Sequence, residues 1–200
     1  MYKKFSVTKM SLLLALSLAI ASCKKDNDPD PNSPSFKIDA SEKLEIPSEV
    51  KLPDNLPNGN ERVATYFAQG VQIYKAQAEA GTNPTTYQWV LVGPKADLYD
   101  HANNKIGTHY TGPTWKLNTL KDSIVAQKFS PEKIKAVDPN AVEWLQLMPK
   151  VNTTPTGIFK NVTYVQRIAT TGGKPSGKPA NANETVEVNY TAIYRFSKMK

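Results

Sequence analysis

Three features of the sequence predict an all-β fold, a mostly antiparallel sandwich or barrel with long loops. The first is a clean period-two alternation near the C-terminus. Val186, Val188, Tyr190, Ala192, Tyr194 and Phe196 share one face, and Thr185, Glu187, Asn189, Thr191, Ile193 and Arg195 the other. Such alternation marks a half-buried strand. The second is a set of segments rich in β-branched and aromatic residues: 71–76, 87–92, 106–111, 123–129, 142–148 and 159–170. The third is the spacing of turn signals between them, among them Gly81-Thr82-Asn83-Pro84, Gly93-Pro94, Asn103-Asn104, Gly112-Pro113, Asp138-Pro139-Asn140 and Thr154-Pro155-Thr156-Gly157. Breakers this frequent leave space for a turn or two of helix at most, near residues 131–137 or 76–80. The loop 172–183, rich in Gly, Pro and Lys, joins the last two strands.

Length and composition agree with a single domain. The chain has 200 residues, 40% hydrophobic and 22% charged. Those values exclude a multi-pass membrane protein, a coiled coil and a wholly disordered chain. One cysteine excludes an internal disulfide framework and a Cys-rich zinc site.

The N-terminus carries an address. Lys3, Lys4 and Lys9 precede a short apolar run, Leu12 to Ile20, too short to span a bilayer as a finished helix. The run ends in Ile20-Ala21-Ser22-Cys23. This resembles the bacterial lipobox, in which the thiol is acylated and the chain is cut before it. The resemblance implies a signal peptide over 1–22 and a lipid on Cys23, so that the protein is anchored to a membrane. The acidic stretch Asp26-Asn27-Asp28-Pro29-Asp30 resembles the export signal that places some Gram-negative lipoproteins on the outer surface. The expected location is therefore the outer membrane or cell surface. Removal of three lysines with the leader lowers the net charge from +7 to +4. No clustered stripe of Lys and Arg remains, so nucleic acid is not an expected partner.

Residues 24–57 contain six prolines and one aromatic, Phe36. That composition predicts a disordered tether over 23–57, followed by one β domain over 58–200.

Several segments of that domain, read in order, are similar to one family. They are Gly70-Val71-Gln72-Ile73-Tyr74, Trp89, Gly93-Pro94-Lys95-Ala96-Asp97-Leu98-Tyr99-Asp100, and Gly107-Thr108-His109-Tyr110-Thr111-Gly112-Pro113-Thr114-Trp115. Asp122-Ser123-Ile124-Val125, Trp144-Leu145, Val162-Thr163-Tyr164-Val165-Gln166-Arg167, Thr171-Gly172-Gly173 and Tyr190-Thr191-Ala192-Ile193-Tyr194-Arg195-Phe196 complete the set. The chain resembles the family catalogued as domain of unknown function 3455. The resemblance supplies a name and no mechanism. Relatives carry cysteines at the places of Lys75 and, roughly, Lys178, which implies that these two segments are spatial neighbours.

Chemistry centres on the segment 107–115. His109 shares a strand face with Gly107 and Thr111, while Thr108 and Tyr110 take the other. Two readings follow. In the first, a small molecule or glycan binds here, with Trp115 stacking on it and His109 and Tyr110 supplying hydrogen bonds. In the second, the protein is a hydrolase-type enzyme in which His109 is the general acid or base and Asp122, or else Asp97, orients it. A purely structural envelope protein is the third alternative. Arg167 and Arg195 are expected on polar strand faces, facing solvent. Two histidines with scattered aspartates form no metal set, and no Gly-x-Gly-x-x-Gly loop is present for a dinucleotide. Neither a metal nor a cofactor is expected. An enzyme would need a carboxylate or hydroxyl within reach of His109. A binding module would need an exposed aromatic floor without such a relay.

Overall fold

The chain closes into an eight-stranded barrel in which every strand pairs antiparallel with its sequence neighbour, and the last returns to the first. The computed structural model describes residues 29–82, 85–119 and 121–200. The leader and Cys23, on which the signal-peptide and lipid expectations fall, lie outside the described residues. The strands are β1 (Asn60–Ala78), β2 (Tyr87–Tyr99), β3 (Lys105–Tyr110), β4 (Thr114–Leu117), β5 (Ser123–Lys135), β6 (Trp144–Pro149), β7 (Tyr164–Gly172) and β8 (Thr185–Met199). A helix, α1 (Pro34–Glu42), precedes them, and a one-turn 3-10 helix, Gly157–Phe159, lies between β6 and β7.

Closure follows from the length and alternation of β1 and β8. β1 is long enough to pair with β2 on one side and with β8 on the other, bringing Ala68 opposite both Leu98 and Ala192. Small residues there let large ones fill the interior. Tyr66, Leu98, Trp115, Leu147, Tyr194 and Phe196 belong to one buried cluster. Closing the sheet removes both free edges.

The two ends of the barrel differ. At the end carrying the β4–β5 and β6–β7 connections, Phe159 and Val162 join the core cluster as a plug. Asp122 ties this plug down, accepting from Ile158 N at 3.0 Å and from the Thr119 hydroxyl. Gly157 has φ +60°, and a Cβ there would stand 1.5 Å from Asp122 Oδ1. Only glycine both takes that backbone angle without strain and leaves the carboxylate its place. The opposite end, carrying the β1–β2, β3–β4 and β5–β6 connections, is open.

Several sequence expectations need correction. The stretch expected as a disordered tether is folded from Ser33 onward. Ser33 caps α1 by accepting from Phe36 N at 3.3 Å, with Pro34 beginning the helix. Ile38 and Val50 then pack against Phe67, Trp144, Ile168 and Ile193 on the outside of the barrel. Burying each such side chain contributes about 1.5–3 kcal/mol. Gln166 Nε2 donates to Val50 O at 2.7 Å, and Arg195 Nη2 donates to Ser41 O at 2.7 Å. The low apolar density of this stretch misled because the barrel supplies the partner surface; a few anchors suffice. Arg195, expected to face solvent, is buried beneath α1, with Glu42 3.3 Å away.

Neither stretch expected to hold a turn of helix does so. Residues 76–78 continue β1, and 131–135 belong to β5. Pro131 is accommodated because 129–132 bulge out between the pairs Lys128↔Leu147 and Lys133↔Gln146, where a missing N–H costs the ladder nothing. Gly93-Pro94 is no turn; β2 runs through it, with Val92 left as the extra, bulged residue between the pairs Ile73↔Gly93 and Tyr74↔Leu91.

Candidate functional site

The segment 107–115 forms the β3–β4 hairpin, whose register sets His109 directly opposite Trp115. Both side chains enter the barrel. The two rings stack with centroids 4.3 Å apart and planes 10° from parallel. Tyr194, on β8, presents an edge to both, at 4.8 Å from His109 and 5.0 Å from Trp115. His109 Nδ1 lies 2.8 Å from Thr114 O. A carbonyl can only accept, so Nδ1 carries the proton and Nε2 keeps the lone pair. Burial holds the imidazole pKa down to about 3, with the Thr114 contact opposing and the Arg167 charge adding to the depression. His109 is therefore a neutral acceptor at neutral pH.

Above this aromatic group lies a cavity of about 400 Å³ opening at the unplugged end. Its walls include Gln72, His109, Trp115, Leu145, Leu147, Arg167 and Tyr194, and its mouth Leu91, Val92, Pro94, Pro113 and Ile134. Leu91, Val92 and Ile134 are exposed large hydrophobics. The volume, the apolar walls and the few convergent polar groups fall within the range that small-molecule pockets in general have.

Two of the polar groups are unusual in having no partners. Both amide atoms of Gln72 and the Trp115 indole N–H are buried without a hydrogen bond, whereas the Tyr194 hydroxyl lies beside Arg167 and Tyr190. Most buried polar atoms in folded proteins are satisfied, and each failure costs about 1–3 kcal/mol. Arg167 sits on β7 opposite Leu145 and Tyr194. Its Nε and Nη2 donate to Glu143 O at 3.0 and 2.9 Å. The Glu143 carboxylate instead meets Lys174 at 2.9 Å; burial pushes its pKa up, but the hydrogen bond from Lys174, one from the backbone and the charges of Lys174 and Arg167 together hold it below the ordinary value. Burial raises the Tyr194 pKa, with the Arg167 charge opposing, so the phenol stays protonated.

Of the residues expected at the site, His109 and Trp115 come together and Tyr110 does not. Tyr110 is exposed on the outer face of β3 and borders a shallow groove with Lys95 and Glu187. Trp115 has no exposed surface, so the expectation of a solvent-facing stacking platform fails. Asp122 belongs to the plug at the other end, and Asp97 pairs with Lys105 at 2.8 Å. The orienting partner of His109 is the Thr114 carbonyl and neither carboxylate. Among the described residues, no three His, Cys, Asp or Glu side chains converge as metal ligands.

Sequence reasoning missed Gln72, Arg167 and Tyr194 as site residues. A signal existed for the first two. Gln72 interrupts an otherwise apolar face of Tyr66, Ala68, Gly70 and Tyr74, and Arg167 has the parity of Val165, which points inward. A lone polar residue on a core face was legible as a site residue. The expected closeness of the 172–183 loop to the end of β1 is met, since Lys178 pairs with Glu79 at 3.1 Å and Lys75 stands opposite Thr185.

No curated protein and no solved structure matches the chain. The family model described as a protein of unknown function (DUF3455) matches residues 57–198, which take in all of the barrel but the last residue of β8. The chain belongs to that family.

Proposed function

We propose that the protein is a cell-envelope lipoprotein, anchored through Cys23, whose barrel binds a small amphipathic molecule in the cavity at its open end. One observation carries the binding reading: the walls of the cavity hold buried polar groups without partners at Gln72 and Trp115. A ligand that supplied those partners would recover what their isolation costs. The exposed apolar mouth favours a ligand with a hydrophobic body over a glycan, for which a fully buried indole offers no face to stack on. Catalysis is disfavoured, because the neutral His109 has a main-chain carbonyl where a relay carboxylate would stand. The resemblance of Ile20-Ala21-Ser22-Cys23 to a lipobox and the charged n-region support the envelope location.

The test uses a neutral probe, N-phenyl-1-naphthylamine, whose emission rises in an apolar site. Titration of the chain lacking residues 1–23 should show saturable binding. Leu147→Trp, which fills the cavity from its wall, should weaken that binding at least tenfold without unfolding the barrel. Absence of saturable binding, or equal binding by the filled variant, would sink the proposal. Acylation is checked separately by the mass of the Cys23 peptide from membranes; an unmodified thiol on an uncut chain contradicts the anchor.

A further inference from the structure

This inference rests on the binding reading above and deepens it by naming the ligand class. Arg167 is the pivot. It brings a permanent positive charge into the barrel wall, yet among the described residues no carboxylate pairs with it. Its nearest carboxylate-bearing neighbour, Glu143, offers only its main-chain carbonyl, the side chain being engaged by Lys174. Two of the five guanidinium N–H groups are used on that carbonyl, and they lie on one edge. The terminal edge, formed by Nη1 and the second Nη2 hydrogen, meets no carboxylate among the described residues, and the polar side chain beside the guanidinium is the Tyr194 phenol, which a planar bidentate acceptor would join.

The neighbours are mostly donors, with His109 Nε2 and Gln72 Oε1 as the acceptors among them. The Trp115 indole is a donor only, buried and unpartnered, and the Tyr194 phenol beside Arg167 stays protonated. The Gln72 amide adds two further donor hydrogens. Donors thus outnumber acceptors deep in the cavity, while the mouth is apolar. A guanidinium with a carboxylate near it but none directly paired is incompletely compensated in such surroundings, and a forked pair with a carboxylate is the arrangement that best offsets it.

We infer that the cavity takes carboxylate-headed amphiphiles, the carboxylate seated at the free edge of Arg167 and the hydrocarbon body lying in the mouth formed by Leu91, Val92 and Ile134. Only the head group is specified by this arrangement; the apolar mouth discriminates weakly between bodies of similar size.

The experiment displaces N-phenyl-1-naphthylamine at pH 7.5 with octanoate and with 1-octanol, which share a chain and differ in the head. Octanoate should bind at least about tenfold tighter, as charge-assisted hydrogen bonds are the strong ones. In Arg167→Met, shown to be folded by circular dichroism and a cooperative melt, the ratio should collapse toward one. If that variant does not fold, Arg167→Lys, which keeps the charge but loses the fork, should cut the ratio severalfold. Equal affinities in the unmodified protein, or a tenfold preference surviving in the folded variant, would overturn the inference while leaving the binding module intact. Failure of the probe itself to bind would overturn both.

Discussion

His109 lies flat against Trp115, 4.3 Å away, with its Nδ1 proton committed to the Thr114 carbonyl. The pairing fixes the tautomer and packs the imidazole where it is costly to charge. Burial lowers its pKa to about 3 from an ordinary 6.5. The unfolded chain therefore takes up a proton before the folded one does, and stability falls as the pH drops below 6.5. The slope from this group approaches about 1.4 kcal/mol per pH unit toward pH 4. His109→Gln removes it. Chemical denaturation of both proteins from pH 7 to pH 4 should show the gap between them narrowing as acid is added. Parallel curves would mean that the imidazole titrates normally in the fold.

Asp122 is a structural residue of the plug. Asp122→Ala removes the acceptor for Ile158 N and the Thr119 hydroxyl, and should cost about 1–2 kcal/mol. The affinity for N-phenyl-1-naphthylamine should stay within twofold, since the plug and the cavity lie at opposite ends. A tenfold loss of affinity without loss of stability would restore Asp122 to the site.

The segment before the barrel should behave as part of it. Val50 has no exposed surface, and Val50→Ala should destabilise the protein by about 1–3 kcal/mol. Hydrogen exchange gives the independent readout. The Val50 and Lys51 amides, which donate to Pro47 O at 3.0 and 2.9 Å, should be protected. Exchange at free-peptide rates would return the segment to the status of a tether.

Much of the barrel was legible because its strands alternate. The period-two reading of 185–196 gives the correct inward set on β8, and His109 and Tyr110 separate to opposite faces as alternation requires. What was not legible depended on surfaces contributed from elsewhere. Arg195 looks like a solvated residue until α1 covers it, and Ile38 and Val50 look too sparse to order a chain until Phe67 and Ile168 receive them. Pro131 reads as the start of a helical turn, yet a four-residue bulge absorbs it into β5. At the site, the sequence pointed to His109 and Trp115 by their motif. Arg167 and Tyr194 come from strands distant in sequence and meet that hairpin only through closure of the barrel. Asp122 was chosen for chemistry that its position at the plugged end does not permit.

The most direct test is a two-dimensional proton–nitrogen spectrum of the three tryptophan indoles during titration with octanoate. Trp115 lines the cavity with its N–H unpaired, whereas Trp144 packs in the outer cluster beneath the N-terminal segment. The account predicts that the Trp115 indole resonance moves saturably while that of Trp144 stays in place. An unmoved Trp115 resonance at millimolar octanoate, or a Trp144 resonance that shifts instead, would contradict it.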